Sequence, residues 1–123
     1  MEKAADTAYK LAGINNPKSE IDVAELFGHT ACEELILAEA AKLSEKGKGV
    51  SLLENGPVLN PSGGVLSAFT PCACGLTRIV EAAKQLRGEA GDHQISGAKK
   101  AIASGQVGFC AQNNIIYVLE GGG

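Results

Sequence analysis

Aromatic residues are scarce in this sequence. Tryptophan is absent, and three Phe and two Tyr make up only 4% of the 123 residues. With so few rings there is no platform on which nucleic-acid bases could stack. Basic residues are also thin. Eleven Lys and Arg stand against 14 Asp and Glu, leaving a net charge of −3 and no basic stripe to follow a phosphate backbone. Nucleic acid is therefore not an expected partner. Long apolar runs are missing too, and none approaches the roughly 18 residues of a membrane span. The opening MEKAADTAYKLAG carries charges and lacks the apolar stretch and cleavage site of a secretory signal. The chain is expected to be cytoplasmic, and its initial Met and lack of a tag fit a whole gene product.

What is present is ordinary globular material, 45% apolar and 20% charged. The length suits one domain, 1–123, with a modest core. Residues 3–13 read as a helix with Ala4, Ala5, Ala8, Leu11 and Ala12 on one face and Gly13 closing it. Ile21, Val23 and Phe27 mark a short buried strand with few polar side chains. Residues 29–43 are helical in composition, with Thr30 as N-cap and Glu33 three positions on. Residues 44–64 are punctuated by Gly and Pro as loop. A helix spans about Cys74–Arg87, a loop follows, and QVGFCAQNNIIYVLEG reads as two strands turning near Gln112–Asn114. The final glycines, 121–123, read as a flexible tail. Helices alternating with strands and closed by a strand pair predict an α/β domain with a layered mixed sheet.

Chemistry concentrates in a few places. NPSGG supplies a turn in which Gly63 and Gly64 can take positive φ and admit a ligand or another backbone, or can serve as a plain turn. Cys72 and Cys74 stand at the mouth of a helix, where free N–H groups and the dipole favour a thiolate. A small residue chosen for close packing fits Cys74 equally. His29, between a strand end and a helix start, suits a base, a ligand or a cap. His93 reads as solvated. Arg78, Glu81 and Arg87 read as surface or helix-pairing charges. Cys32, Cys72, Cys74 and Cys110 in a cytosolic chain are free thiols, ligands or catalysts rather than disulfides.

NPSGG, then a helix ending QLRGEAG, then HQISGAKKA, then a Cys-containing strand ending VLEG together resemble the C-terminal part of a thiolase. The nearest branch is the sterol-carrier-protein-type and archaeal thiolases. The resemblance runs from about Ala4 to Gly121, and AAKQLRGEAGDHQISGAK is its most specific string. It implies work on acyl-CoA thioesters in lipid metabolism, with coenzyme A as part of the substrate and no other cofactor required. In the family a nucleophilic Cys in the N-terminal half is served by three C-terminal loops. A His activates that Cys, an Asn positions water, and a second Cys moves the substrate's α-proton.

The carry-over is incomplete where the chemistry lies. In ELFGHTACEEL, Glu33 stands where the family has Asn, and Glu34 matches its Glu. In FTPCACG, Phe69 replaces a Gly, Thr70 replaces the His, Pro71 matches, and one residue is missing before Gly75. In CAQ, Cys110 matches the acid/base Cys and Gln112 replaces a Gly. The implied catalytic set is Cys110, Glu33 and Thr70. The implied substrate contacts are Asn60, Gly63, Gly64, Phe69 and His29. The nucleophile's half has no counterpart here, so the chain is not expected to act alone. The resemblance also implies a sheet lacking its first central strand, which would leave two unpaired edges. A partner, an N-terminal thiolase-like subunit, would fill that gap and bring the nucleophile. The alternatives are a rearranged sheet or a truncated product. A small zinc-ribbon/OB-fold acyl-CoA-binding protein is a further expected partner.

In the family the three loops meet at one site, so Cys32, Cys72, Cys74 and Cys110 are expected to gather there. Four thiolates suit zinc or an iron–sulfur cluster, although the spacing C-x39-C-x-C-x35-C matches no usual metal signature. Small cysteines filling a site released from selection are the plainer reading. Three functions remain open: a subunit of a split acyltransferase or a related C–C-cleaving aldolase in a heteromeric complex, a non-catalytic scaffold or regulatory subunit, and a metal- or cluster-binding module.

Overall fold

The computed structural model describes residues 1–122. Helix α1 (Glu2–Ala12) ends at Gly13, which takes the left-handed φ of 70° that a glycine C-cap permits. Its buried anchors are Ala5 and Tyr9, whereas Leu11 points to solvent at 84% exposure. Tyr9 closes a longer link, its hydroxyl donating to the Ala41 carbonyl at 2.7 Å. The chain then makes a helical turn, α2 (Pro17–Glu20), started by Pro at its first position. Strand β1 (Val23–Glu25) is buried at every residue. Helix α3 (Ala31–Ala40) begins as its sequence predicts, with Thr30 Oγ1 accepting the Glu33 N–H at 3.1 Å. Residues 44–64 hold one 3₁₀ turn and a two-residue strand, β2 (Val58–Leu59), too short to show in sequence. A further turn, α4 (Gly64–Ser67), precedes α5 (Cys74–Arg87), whose bounds match expectation. Strands β3 (Lys100–Val107) and β4 (Asn113–Glu120) close the chain.

Strand β3 starts six residues before the expected strand pair. The reason is physical. Ala101 to Gly105 are all buried, so β3 is covered on both faces and shows no polar alternation. The sheet order is β2-β1-β3-β4, with β4 antiparallel to an otherwise parallel set. This is the mixed sheet expected, with four strands. The two unpaired inner edges are not found. Val23, Ala24 and Glu25 pair directly with Ala101, Ile102 and Ala103, so the sheet is continuous. Within the described residues the sheet runs unbroken from β2 to β4.

The pleat sorts side chains into two layers. Ala24 and Ile102 face α1 and α3 in a core with Leu26, Leu37 and Leu43. Val23, Ala101 and Ala103 face α5 through Ala82 and Ile79. Glu25 shares the α5 side, fully buried, and meets Arg78 of α5, with Nη1 2.7 Å from Oε2. Ser62 completes the set, its hydroxyl donating to Glu25 at 2.8 Å and accepting from Arg78 at 2.8 Å. Burial pushes the Glu25 carboxyl up, and Ser62 and Arg78 pull against that rise. Arg78 is therefore not a surface charge. Glu81 and Arg87 do pair on the surface, with Lys84 and Glu89 at 2.9 Å each. Gly121 is also not free, since its N–H donates to the Lys99 carbonyl at 2.8 Å. Gly123 lies outside the described residues.

Candidate functional site

Three loops leave the same end of the sheet and meet around one open cleft of about 530 Å³. The loop after β1 contributes Phe27 and His29. The loop before α5 contributes Phe69, Cys72, Cys74 and Gly75. The end of β3 and its turn contribute Gln106, Val107, Gly108 and Ala111. Side chains of β3 pin the first loop beyond the end of the strand pairing. Ser104 Oγ accepts the Phe27 N–H at 2.9 Å, and Gln106 Nε2 donates to the Phe27 carbonyl at 3.1 Å. The second loop is fixed by packing. Cys74 is buried with Phe27 and Val65, and its thiol donates to the Thr70 carbonyl at 2.9 Å. Of the two readings offered for Cys74, close packing is the one its surroundings match. At the third loop, Cys110 and Ala111 both hold left-handed φ, 54° and 53°. Cys72 holds φ 67° in the second loop. Left-handed backbone at a non-glycine residue costs energy and tends to collect where loops are shaped for function.

His29 is gripped from several sides. Its ring meets Phe27 edge-on at 4.9 Å between centroids and lies 5.9 Å from the Phe69 ring. Glu33 Oε2 accepts the His29 backbone N–H at 2.7 Å and lies 3.3 Å from Nδ1. Thr70 is exposed and does not line the cleft, with Oγ1 3.7 Å from the Cys74 sulfur.

Of the readings offered for the NPSGG turn, the plain turn is the one its surroundings match. Gly63 and Gly64 do take positive φ, 85° and 60°. What approaches them is the chain itself. A Cβ on Gly64 would lie 2.9 Å from Asn60 Nδ2, and one on Gly63 2.1 Å from Ser67 Oγ. Asn60 is buried and fully engaged. Its N–H donates to the Ala24 carbonyl at 2.8 Å, Oδ1 accepts the Leu26 N–H at 2.6 Å, and Nδ2 donates to Glu34 Oε1 at 2.6 Å. Asn60, Gly63 and Gly64 therefore shape the loop end rather than line the cleft. Phe69 and His29 do line it.

The four cysteines are not drawn into one ligand set. Cys32, Cys72 and Cys110 are exposed and Cys74 is buried, all four free thiols. Among the described residues no group of three or more His, Cys, Asp or Glu side chains has an arrangement that could hold a metal ion. Nor is any described helix long and apolar enough to cross a membrane.

Sequence reasoning missed the Glu25–Ser62–Arg78 cluster and the Asn60–Glu34 link. A signal for the first existed. Cys74, Arg78, Ala82 and Gln85 are the buried residues of α5, and their spacing of four, four and three makes one helical stripe.

Burial pushes the Glu34 carboxyl up, Glu33 adds to the rise, and Asn60 and Arg78 oppose it. A carboxyl whose folded pKa is raised favours folding below its unfolded value and loses that contribution as pH climbs through the folded one. Glu34→Gln keeps an acceptor for Asn60 and removes the charge. It should raise the urea midpoint at neutral pH. The gap from wild type should then close as pH falls toward the ordinary glutamate range near ~4.3. A gap that widens in acid would show that Glu34 is stabilised as the anion.

The fold and the three converging loops define a thiolase-type C-terminal domain, and comparison with known proteins agrees. The Thiolase C-terminal domain-like family model matches residues 1–120, and the chain belongs to that family. Among similar proteins are rabbit sterol carrier protein 2, 40% identical over 109 residues, and the human protein, 38% identical over the same length. Each match covers 82% of this chain and 20% of the relative. Acetyl-CoA acetyltransferase of Methanothermobacter thermautotrophicus is 33% identical over 104 residues, or 78% of this chain and 27% of that protein. The chain thus spans about a fifth to a quarter of the length of these relatives.

Proposed function

We propose that this chain is the C-terminal half of a split thiolase-superfamily complex that acts on acyl-CoA thioesters, by acyl transfer or by forming or cleaving a C–C bond. The observation that supports it is the convergence of the three loops on one cleft. Phe27, Phe69 and Val107 give that cleft apolar walls suited to an acyl chain. Cys110 stands between two residues of its wall, Gly108 and Ala111, exposed on a turn of left-handed backbone. Cys110 does not itself line the cleft, and in this reading it moves a proton at the substrate's α-carbon from beside it. The nucleophilic Cys comes from an N-terminal thiolase-like partner, and coenzyme A enters as part of the substrate. A zinc-ribbon/OB-fold acyl-CoA-binding protein is a further partner.

Native mass spectrometry of the protein isolated from its own cells tests the assembly, and a heteromeric mass is the expected result. Thioester turnover by that complex tests the role. Cys110→Ala should lower kcat by roughly 10²-fold or more, the usual range for a lost acid/base group. Turnover unchanged by the substitution would remove Cys110 from the mechanism.

A non-catalytic scaffold is the second reading, and one observation favours it. Thr70 and Glu33 are both engaged within the fold, Thr70 at the buried Cys74 thiol and Glu33 at the start of α3. A complex whose turnover ignores every cleft substitution would decide for the scaffold.

A further inference from the structure

We infer that a second, polar pocket beside α5 is a binding site for a small carboxylic acid, with Arg78 as its anchor. The inference is independent of the catalytic reading, because this pocket shares no lining residue with the cleft. It has a volume of about 260 Å³ and lies between the segment after β2 and the side of α5 that carries Arg78 and Lys84, with His93 on its wall. A guanidinium has five N–H donors. Arg78 spends two of them, both on Nη1, on Glu25 Oε2 at 2.7 Å and Ser62 Oγ at 2.8 Å. The donors of Nε and Nη2 have no hydrogen-bond partner among the described residues. These two nitrogens stand side by side on one edge of the planar group. That edge is the fork that takes both oxygens of a carboxylate at once.

A buried polar edge without partners needs an explanation, and a missing guest supplies one. Arg78 is only 4% exposed, so a pair formed there is screened far less than one on the surface. Glu25 and Ser62 already hold Nη1, so the fork is oriented before a guest arrives and little ordering is left to offset. Lys84 adds a second cation to the pocket wall. Glu81 takes one of its three N–H groups at 2.9 Å, which leaves two for a guest. The charges also choose the guest. Glu25 and Glu81 already face Arg78 and Lys84, so a doubly charged phosphate would meet twice the repulsion of a singly charged carboxylate.

Acetate is the probe, titrated into the full chain while ¹H–¹⁵N spectra follow the arginine Nε–H signals. The Arg78 signal should move and saturate, while that of Arg87, the only other arginine in the chain, stays still. Chloride at the same ionic strength should leave Arg78 unmoved, and inorganic phosphate should bind more weakly than acetate. Arg78→Lys keeps a cation for Glu25 and removes the fork. It should weaken acetate about tenfold or more, the loss expected with a charge-assisted hydrogen bond. Lys84→Met, a substitution at a half-exposed position, should weaken acetate as well. A shift that never saturates, one that Arg87 shares, tighter binding of phosphate, or an affinity indifferent to both variants overturns the inference. So does an Arg78 Nε–H that ignores acetate and shows magnetisation transfer from a bound water, since solvent would then fill the edge. If Arg78→Lys does not fold, the wild-type signal and Lys84→Met decide.

Discussion

Arg78→Met should destabilise the fold by about 3–5 kcal/mol, the usual effect of stripping the partner from a buried charge. Glu25 is fully buried and Arg78 is 4% exposed, so no water can replace the lost guanidinium without opening the α5 layer. Ser62 would remain as the neighbour bonding to the carboxylate, through its N–H at 3.1 Å and its hydroxyl. A domain has only about 5–15 kcal/mol in total, so the single variant stands near the limit of folding. Glu25→Gln combined with Arg78→Met should recover most of the loss, because the amide leaves no unpaired charge. Much of the pair's apparent strength therefore belongs to the penalty for breaking it. Arg78 Nε has no hydrogen-bond partner among the described residues, which lowers the net contribution of the intact pair. Urea unfolding of the two variants is the measurement. An Arg78→Met protein within about 1 kcal/mol of wild type would show that the carboxyl is neutral in the fold.

Asn60→Ala is the second large effect, expected at about 3 kcal/mol. Two terms contribute. The buried Leu26 N–H loses its acceptor, and an orphaned buried donor costs about 1–3 kcal/mol. Alanine must also hold the left-handed φ of 43°, at roughly 1–2 kcal/mol. Asn60→Gly separates the two, since glycine removes the amide yet accepts the backbone. It should recover about 1 kcal/mol of the alanine loss. Equal losses in both variants would place the whole effect in the side-chain bonds. The substitution should also loosen α3 relative to β2, because Nδ2 is the link to Glu34. Hydrogen exchange across residues 26–35 would detect that loosening even where the melting point moved little.

Much of the fold was legible because local signals agreed with it. Gly13 and Gly88 close their helices in left-handed conformation, and Thr30 caps α3. Strand β3 hid its beginning because burial on both faces removes alternation. Strand β2 hid because two residues carry no period. For the site, the convergence of loops was available only through the resemblance. Nothing local in His29, Phe69 or Ala111 says that they share a cleft. The NPSGG turn left its role open for a physical reason. Glycine records that something comes close, and sequence cannot say whether that is a ligand or Asn60. Arg78 was read from its charge, while its place on the buried stripe of α5 decided its fate. The four cysteines fall in or beside loops that the resemblance brings together, but among the described residues they form no ligand set, which needs side chains aimed at one point.

The cleft has a backbone fulcrum. Helix α5 begins where Gly75 crosses Gly105 of β3, and a Cβ on Gly105 would stand 3.6 Å from the Gly75 Cα and 3.2 Å from a methyl of Ile115. Main chain bears on main chain at that point, with no side chain between them whose rotation could alter the gap. The base of the cleft therefore has a fixed width, as a hinge pin has. The cleft's two rims are residues 68–73 and 108–112. Those rims hold Cys72, Cys110 and Ala111, whose backbone already lies outside its ordinary basin. A methyl on Gly75 would meet the Gly105 Cα at 3.6 Å, an ordinary contact, whereas one on Gly105 would crowd the Ile115 methyl at 3.2 Å, so the pivot is tightest on its β4 side.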